Sequence, residues 1–133
     1  ERIVMVHSAV LGSIERSLAV LLEHFNGAFP LWLAPVQVAI LPISDKVADY
    51  ANKIASELAE AGIRFEIYEK NETIGKKIRE AETQKIPYLV IVGAKEEENK
   101  TVAIRKRGGE DLGVMSVNDF VDKLKKEIES KAL

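Results

Sequence analysis

The chain contains no cysteine, and histidine occurs only twice among its 133 residues. Disulfide bonds and cysteine-based metal sites within this chain are therefore excluded, and a metal ion bound here would need ligands from elsewhere. No apolar stretch reaches the roughly 20 residues that a membrane-spanning helix requires. The sequence also lacks a recognisable signal peptide, so we expect a reducing, cytoplasmic location.

Common catalytic motifs are missing as well. The sequence has no Walker-type phosphate loop, no GxGxxG fingerprint, no nucleophile elbow and no pair of histidines at metal-binding spacing. Most of the chain therefore has the features of a binding module rather than those of a catalyst. The sequence starts without methionine, directly on the strand-like "RIVMV", and we interpret it as a piece of a longer protein.

The net charge of −2 gives no overall attraction to nucleic acid or to a membrane. The charge is unevenly distributed, however. Residues 71–107 contain nine Lys/Arg and six Asp/Glu, a local charge of +3, whereas the remainder has ten basic and fifteen acidic residues, a charge of −5. This modest asymmetry favours a basic surface in the second half of the chain without establishing one.

Strand and helix patterns alternate along the sequence. Apolar residues at helical spacing, continuous β-branched runs and glycine stops predict each element. In chain order these are a strand (2–7), a helix (11–25), a proline-containing connector (27–35), a strand (36–43), a helix (45–61), a strand (63–69), a helix (73–84), a strand (87–93), a hairpin (100–117) and a helix (117–128).

This order predicts an α/β fold with a mixed, mainly parallel central sheet, flanking helices and an antiparallel edge. Pro30 and Pro35 fix their own backbone angles and extend the residues before them, so the connector should be stiff. We place the domain boundary there, with a strand–helix piece at 1–34 and a separate domain at 35–133.

Polar side chains follow the second and third predicted strands of that domain, at the sheet edge where ligands usually bind. Asn71 is either a ligand or a turn residue, and the turn is favoured on sequence alone. Arg79 follows the inner stripe of a helix and is either functional or solvated. Glu96 stands in an acidic run that we expect to form a polar loop.

Arg105 and Arg107 alternate with the apolar pair Val102 and Ile104 along one strand, so both arginines should project from the opposite sheet face. Two arginines on an open face can contact phosphates or base edges through their fork of donors. A charged edge strand that discourages aggregation explains the same pattern equally well.

Two residues before the connector have chemical potential. His7 ends the first predicted strand and faces either a cavity or a structural hydrogen bond. Arg16, one turn after Gly12 and Ser13, is placed to meet a phosphate, although a solvated helix face fits it as well.

Together, "HSAVLGSIER" and "GAFPLWLAPVQVAILPIS" closely resemble the threonyl-tRNA synthetase family. The first is similar to the third signature motif of class II synthetases, and the second to the join into their C-terminal anticodon-binding domain. The resemblance continues through "KNETIGKKIREAETQKIPYLVIVGAKEEENKTVAIRKRGGEDLG" and "VNDFVDKLKKEI", over essentially the whole chain. Prolyl-, histidyl- and glycyl-tRNA synthetases share part of it, and the histidine ahead of "LGS.ER" points to threonine.

The resemblance implies roles for three residues of the catalytic piece. His7 matches one of three protein ligands of a zinc ion that grips the substrate, and the other two ligands would lie upstream of this chain. Ser13 falls at a substrate-pocket position, and Arg16 matches the arginine that contacts the ATP phosphates. Zinc and ATP are thus expected in the full-length enzyme, a homodimer, and neither is expected on this chain alone.

The resemblance also implies an anticodon-binding set. Asn71, Arg79, Glu96 and Arg105 match residues that the family uses on the anticodon bases. Lys85 stands where the family often has arginine, and it keeps the charge without the planar fork. We expect Asn71, Glu96 and Arg105 to lie side by side on one surface. Three lysines are expected to add contacts to phosphates: Lys76, Lys77 and Lys106.

The expected function is recognition of the tRNA(Thr) anticodon by part of an enzyme that activates threonine with ATP and attaches it to tRNA. This chain alone should be catalytically inactive. In this view, the stiff connector holds the anticodon-binding surface at a fixed distance from the catalytic module. One alternative is a noncatalytic synthetase-like protein, because Ser8 stands where the family pattern has arginine. Another is a small α/β domain that binds nucleotides or partner proteins.

Overall fold

The computed structural model describes residues 3–69 and 72–133. Within these ranges the chain forms five α-helices, five strands and a short 3₁₀ turn at Asp45–Val47. In chain order they are α1 (Ile14–Phe25), β1 (Val38–Pro42), α2 (Ala48–Glu60), β2 (Phe65–Ile67), α3 (Ile74–Thr83), β3 (Tyr88–Val92), α4 (Ala94–Asn99), β4 (Thr101–Lys106), β5 (Glu110–Ser116) and α5 (Val117–Ser130).

The strands form one mixed sheet in the order β2-β1-β3-β4-β5. β1 pairs in parallel with β2 and β3, because α2 and α3 each return the chain to the same sheet edge. β4 pairs antiparallel with β3 and β5, and Gly108 and Gly109 take the positive φ angles of the hairpin turn. The predicted mixed α/β sheet with flanking helices is confirmed.

Two apolar clusters, one on each face, hold the helices to the sheet. α2 and α5 cover one face, where Leu58 and Phe120 are completely buried beside Val38 and Ile40 of β1. α3 covers the other face through Ala81, against Ala39, Leu41 and Leu89. Each large apolar side chain buried in this way contributes about 1.5–3 kcal/mol of transfer free energy.

The strand predicted at residues 2–7 is wrong for residues 3–7, which are irregular and highly exposed; residue 2 lies outside the described ranges. Ile3 and Met5 are 92% and 88% exposed. A strand needs a neighbour to pair its backbone groups, and nothing in the described chain provides one to this segment. The following helix is present but begins at Ile14, because the Ser13 hydroxyl accepts from the Arg16 backbone N–H at 3.2 Å and caps it.

The proline-containing connector is fastened to the amino-terminal edge of the sheet. The buried Gln37 donates from Nε2 to the Leu31 carbonyl at 2.8 Å, and its Oε1 accepts from the Arg64 N–H at 2.9 Å. The Arg64 guanidinium donates to the carbonyls of Ala34 and Trp32. The connector is therefore held by side chains of the domain as well as by its prolines.

None of the helices in residues 3–69 and 72–133 has both the length and the apolar character needed to cross a membrane.

Candidate nucleic-acid interface

Half of the sheet is open on the face that α3 covers. α3 packs over β1 and β3, and the described helices leave β4 and β5 uncovered on that side. Ile91 of β3 lies opposite Ala103 of β4, which lies opposite Val114 of β5. Val114 is 60% exposed, and the other two are partly buried. We call these three side chains the apolar strip.

Arg105 flanks this strip. It pairs in register with Leu89, whose side chain belongs to the cluster beneath α3, whereas Val102 and Ile104 are buried in the cluster on the other face. The predicted side for Arg105, opposite Val102 and Ile104, is therefore confirmed. Arg105 is partly buried.

Arg107 differs from this expectation. It lies one residue beyond the end of β4, and its Nη1 donates to the carbonyls of Phe29 and Lys85, both at 2.9 Å. The prediction of two free arginines on one open face is wrong for Arg107. Strand alternation gives the direction of a side chain but does not identify distant carbonyls that it will meet.

Glu96 lies in a helix where the sequence predicted a loop. α4 covers "AKEEEN", and the Glu96 carboxylate accepts from the Gly93 backbone N–H at 2.9 Å, in the manner of a capping box. A helix of six residues completes fewer than two turns, so the run shows no apolar stripe. The spacing Gly-x-x-Glu after a buried strand is the signal that could have identified it.

Glu96 and Arg105 come from different elements. α4 joins the sheet at Thr101, the first residue of β4, and Arg105 is four residues further along, about 13 Å of strand rise. That both side chains face one RNA-binding surface stays a prediction. Asn71, the third member of the expected set, lies outside the described residues.

Arg79 is exposed on α3. The neighbouring Glu80 faces Tyr68, beside β2: burial, with added effects of Glu66 and Glu80, raises the pKa of the Tyr68 phenol to about 12. Arg79 lines a shallow surface depression on α3 together with Lys76, Glu80 and Thr83. Its contact with a base stays a prediction.

The lysines expected to contact RNA have different surroundings. Lys76 is exposed and forms an ion pair with Glu72 at 2.7 Å, and Lys106 is exposed at the end of β4. Lys77 is only 4% exposed, and its ammonium donates to the Pro42 carbonyl at 2.9 Å beneath α3. A phosphate contact for Lys77 is therefore wrong. Lys85 donates from its ammonium to the Asn26 carbonyl, which leaves two further N–H donors on that ammonium.

The sequence profile of one family, described as "Anticodon binding domain", matches residues 37–127. The chain belongs to this anticodon-binding domain family. It is 54% identical over 130 residues to a threonine–tRNA ligase of Clostridium tetani, covering 98% of this chain and 20% of that protein. The chain thus spans about a fifth of the length of the curated relatives it matches.

Solved structures agree with this assignment. The anticodon-binding domain superposes with a TM-score of 0.83 on the RNA binding domain of threonyl-tRNA synthetase from Cryptosporidium parvum Iowa II, at 34% identity over 90% of this chain and 30% of that one. Prolyl-tRNA synthetase from Cryptosporidium parvum gives a TM-score of 0.68 and 26% identity, over 77% and 22%. The family resemblance of the sequence is confirmed.

Three predicted residues lie outside the part of this anticodon-binding domain that the family profile matches. His7 and Arg16 are exposed, and Ser13 caps α1. Within residues 3–69 and 72–133, no three potential metal ligands come together. The described residues therefore do not form a zinc site by themselves, and His7 as a single zinc ligand remains a prediction, as do the roles of Ser13 and Arg16.

Proposed function

We propose that this chain recognises the anticodon loop of tRNA(Thr) as part of a threonine–tRNA ligase. The observation that carries the proposal is the open half of the sheet, where Arg105 and the apolar strip lie uncovered in an anticodon-binding domain. The 54% identity to a threonine–tRNA ligase supports the choice of amino acid.

Unpaired loop bases suit this surface because their faces and edges are both accessible. In the proposed complex, a base face lies on the apolar strip and Arg105 donates its paired N–H groups to the edge of a base such as guanine. Arg79 on α3, Asn71 and Lys85 are proposed as further contacts.

Glu96 is proposed to contact the anticodon bases from α4, close to the start of β4. Its carboxylate accepts one hydrogen bond from Gly93 and retains acceptor capacity for the amino group of a base. Lys76 and Lys106 contribute sequence-independent attraction to the phosphates, which weakens as salt rises.

The longer protein would bind threonine and ATP, act as a homodimer and work in the cytoplasm. Arg16 would contact the ATP phosphates, Ser13 would line the substrate pocket, and His7 would supply one zinc ligand to a site completed by residues outside this chain. Zinc, when bound, would hold the amino and hydroxyl groups of threonine.

A stem-loop titration tests the proposal. The chain should bind a hairpin with a threonine anticodon more tightly than the same hairpin with mismatched anticodon bases. Arg105→Ala should reduce that discrimination by roughly 1–3 kcal/mol. Lys106→Ala is the matched control, since it removes the adjacent cation and should weaken binding to both hairpins equally. Equal affinity of the wild-type chain for both hairpins would contradict the proposed function.

A further inference from the structure

Arg107 connects the hairpin of β4 and β5, the proposed RNA-binding element, to the connector. Its partly buried guanidinium donates from Nη1 to two carbonyls, of Phe29 in the connector and of Lys85 between α3 and β3. Its backbone N–H donates to the Pro87 carbonyl at 2.8 Å and continues the ladder beyond β4. Burial lowers the pKa of this guanidinium below its ordinary value. Removing a cation from water costs free energy. The two hydrogen bonds to carbonyls that offset this cost therefore indicate a specific attachment of the hairpin to the connector.

Lys85 extends this hydrogen-bond network to α1. Its ammonium donates to the carbonyl of Asn26, the residue that caps the carboxyl end of α1. Its side chain also passes Gly27, with Cδ and Nζ 3.7 Å from where a Cβ would stand. Asn26 and Gly27 both have positive φ, at 50° and 72°, and the chain turns there out of the helix.

The contacts therefore form a continuous path from the hairpin through Arg107 and Lys85 to the end of α1. Gln37 and Arg64 hold the later part of the connector, but they directly precede β1 and β2. Arg107 is distinct from them because it directly follows β4, the strand that carries Arg105, the proposed base contact.

We propose that Arg107 is a positioning residue for tRNA charging, which sets the location of α1 and its Arg16 relative to the anticodon-binding hairpin. This inference rests on the proposed function. A guanidinium shared between two elements resists their relative movement, and small displacements of reacting groups cost large factors in rate. Arg107 therefore influences the chemical step while making no contact with the anticodon.

The test uses the full-length protein that contains this chain, with Arg107→Met and Arg107→Lys. Three quantities are measured: affinity for the threonine stem-loop, threonine-dependent ATP–pyrophosphate exchange without tRNA, and kcat and KM for charging tRNA. Arg107→Met should lower kcat for charging on the order of tenfold to a hundredfold. Its stem-loop affinity, exchange rate and KM for tRNA should stay within about twofold. Arg107→Lys should recover most of the loss, because an ammonium can still donate to both carbonyls.

Lys125→Met is the control, since it removes an exposed cation from α5, far along the chain from the connector, and should leave all three quantities unchanged. An unchanged kcat in Arg107→Met, a parallel loss of stem-loop affinity, or no recovery with lysine would each overturn the inference. The proposed function fails separately, if the wild-type protein does not discriminate between anticodons or does not support threonine-dependent exchange.

Discussion

Replacing Gln37 with leucine should lower the free energy of unfolding of this chain by about 2 kcal/mol. Gln37 is 1% exposed, and its amide makes two hydrogen bonds: one to the Leu31 carbonyl at 2.8 Å and one from the Arg64 N–H at 2.9 Å. Leucine has a similar size but can make neither bond. The substitution therefore tests how far side-chain hydrogen bonds, rather than prolines, hold the connector in place.

The estimate combines three contributions. The Leu31 carbonyl, on a residue that is 2% exposed, loses its partner at a cost of about 1–3 kcal/mol. The Arg64 N–H lies nearer the surface, where water replaces part of its bond, so its loss costs about 0.5–1.5 kcal/mol. Burying apolar leucine in place of an amide returns about 1 kcal/mol.

Urea unfolding measures the change. With a denaturant slope of about 1–3 kcal/mol per molar, the midpoint should fall by about 1 M. Trp32, the one tryptophan of the chain, lies in the connector and reports that region by fluorescence, while circular dichroism reports the whole fold. Gln84→Leu is the matched control, because Gln84 is exposed, and its effect should stay within about 0.5 kcal/mol. If both variants shift the midpoint equally, the hydrogen bonds of Gln37 do not hold the connector.

Three further predictions follow from single contacts. Tyr68→Phe should not destabilise the fold, because the buried Tyr68 hydroxyl has no partner among the described residues. Burial and nearby carboxylates raise the pKa of this phenol to about 12, above an ordinary 10. The stability of the wild-type chain should therefore fall between pH 10 and 12. Denaturation across this range should show a smaller fall for Tyr68→Phe. Gly93→Ala should change the free energy of unfolding by less than about 1 kcal/mol. It should reduce discrimination between stem-loops, because its Cβ would stand 2.8 Å from the Glu96 carboxylate. Calorimetric titration with matched and mismatched hairpins measures the discrimination. Lys106→Ala should lower the slope of log K against log salt by about 0.7, and an unchanged slope would exclude a phosphate contact.

The sequence predicted Arg105 better than it predicted the residues around it. Alternation along β4 is a local property, so the face that Arg105 occupies follows from Val102 and Ile104 alone. α4 was missed because a helix of six residues carries no apolar period.

Lys77 shows a different limit. It was expected to contact a phosphate, but its ammonium donates to the Pro42 carbonyl at the end of β1. Lys77 lies three residues after Ile74 and four before Ala81, so helical spacing places it on the inner face of α3, but only the tertiary structure shows the carbonyl that it meets.

The amino-acid sequence by itself determined the mixed α/β class, the family and the order of the elements from α1 onwards except α4, because periodicity, caps and short crossovers act between residues close in the chain. Only the tertiary structure decided which cations remain available for RNA. Phe29 lies 78 residues before Arg107, and Pro42 lies 35 before Lys77. A cation donates to whichever acceptor folding brings within about 3 Å, and that acceptor can be far away in sequence.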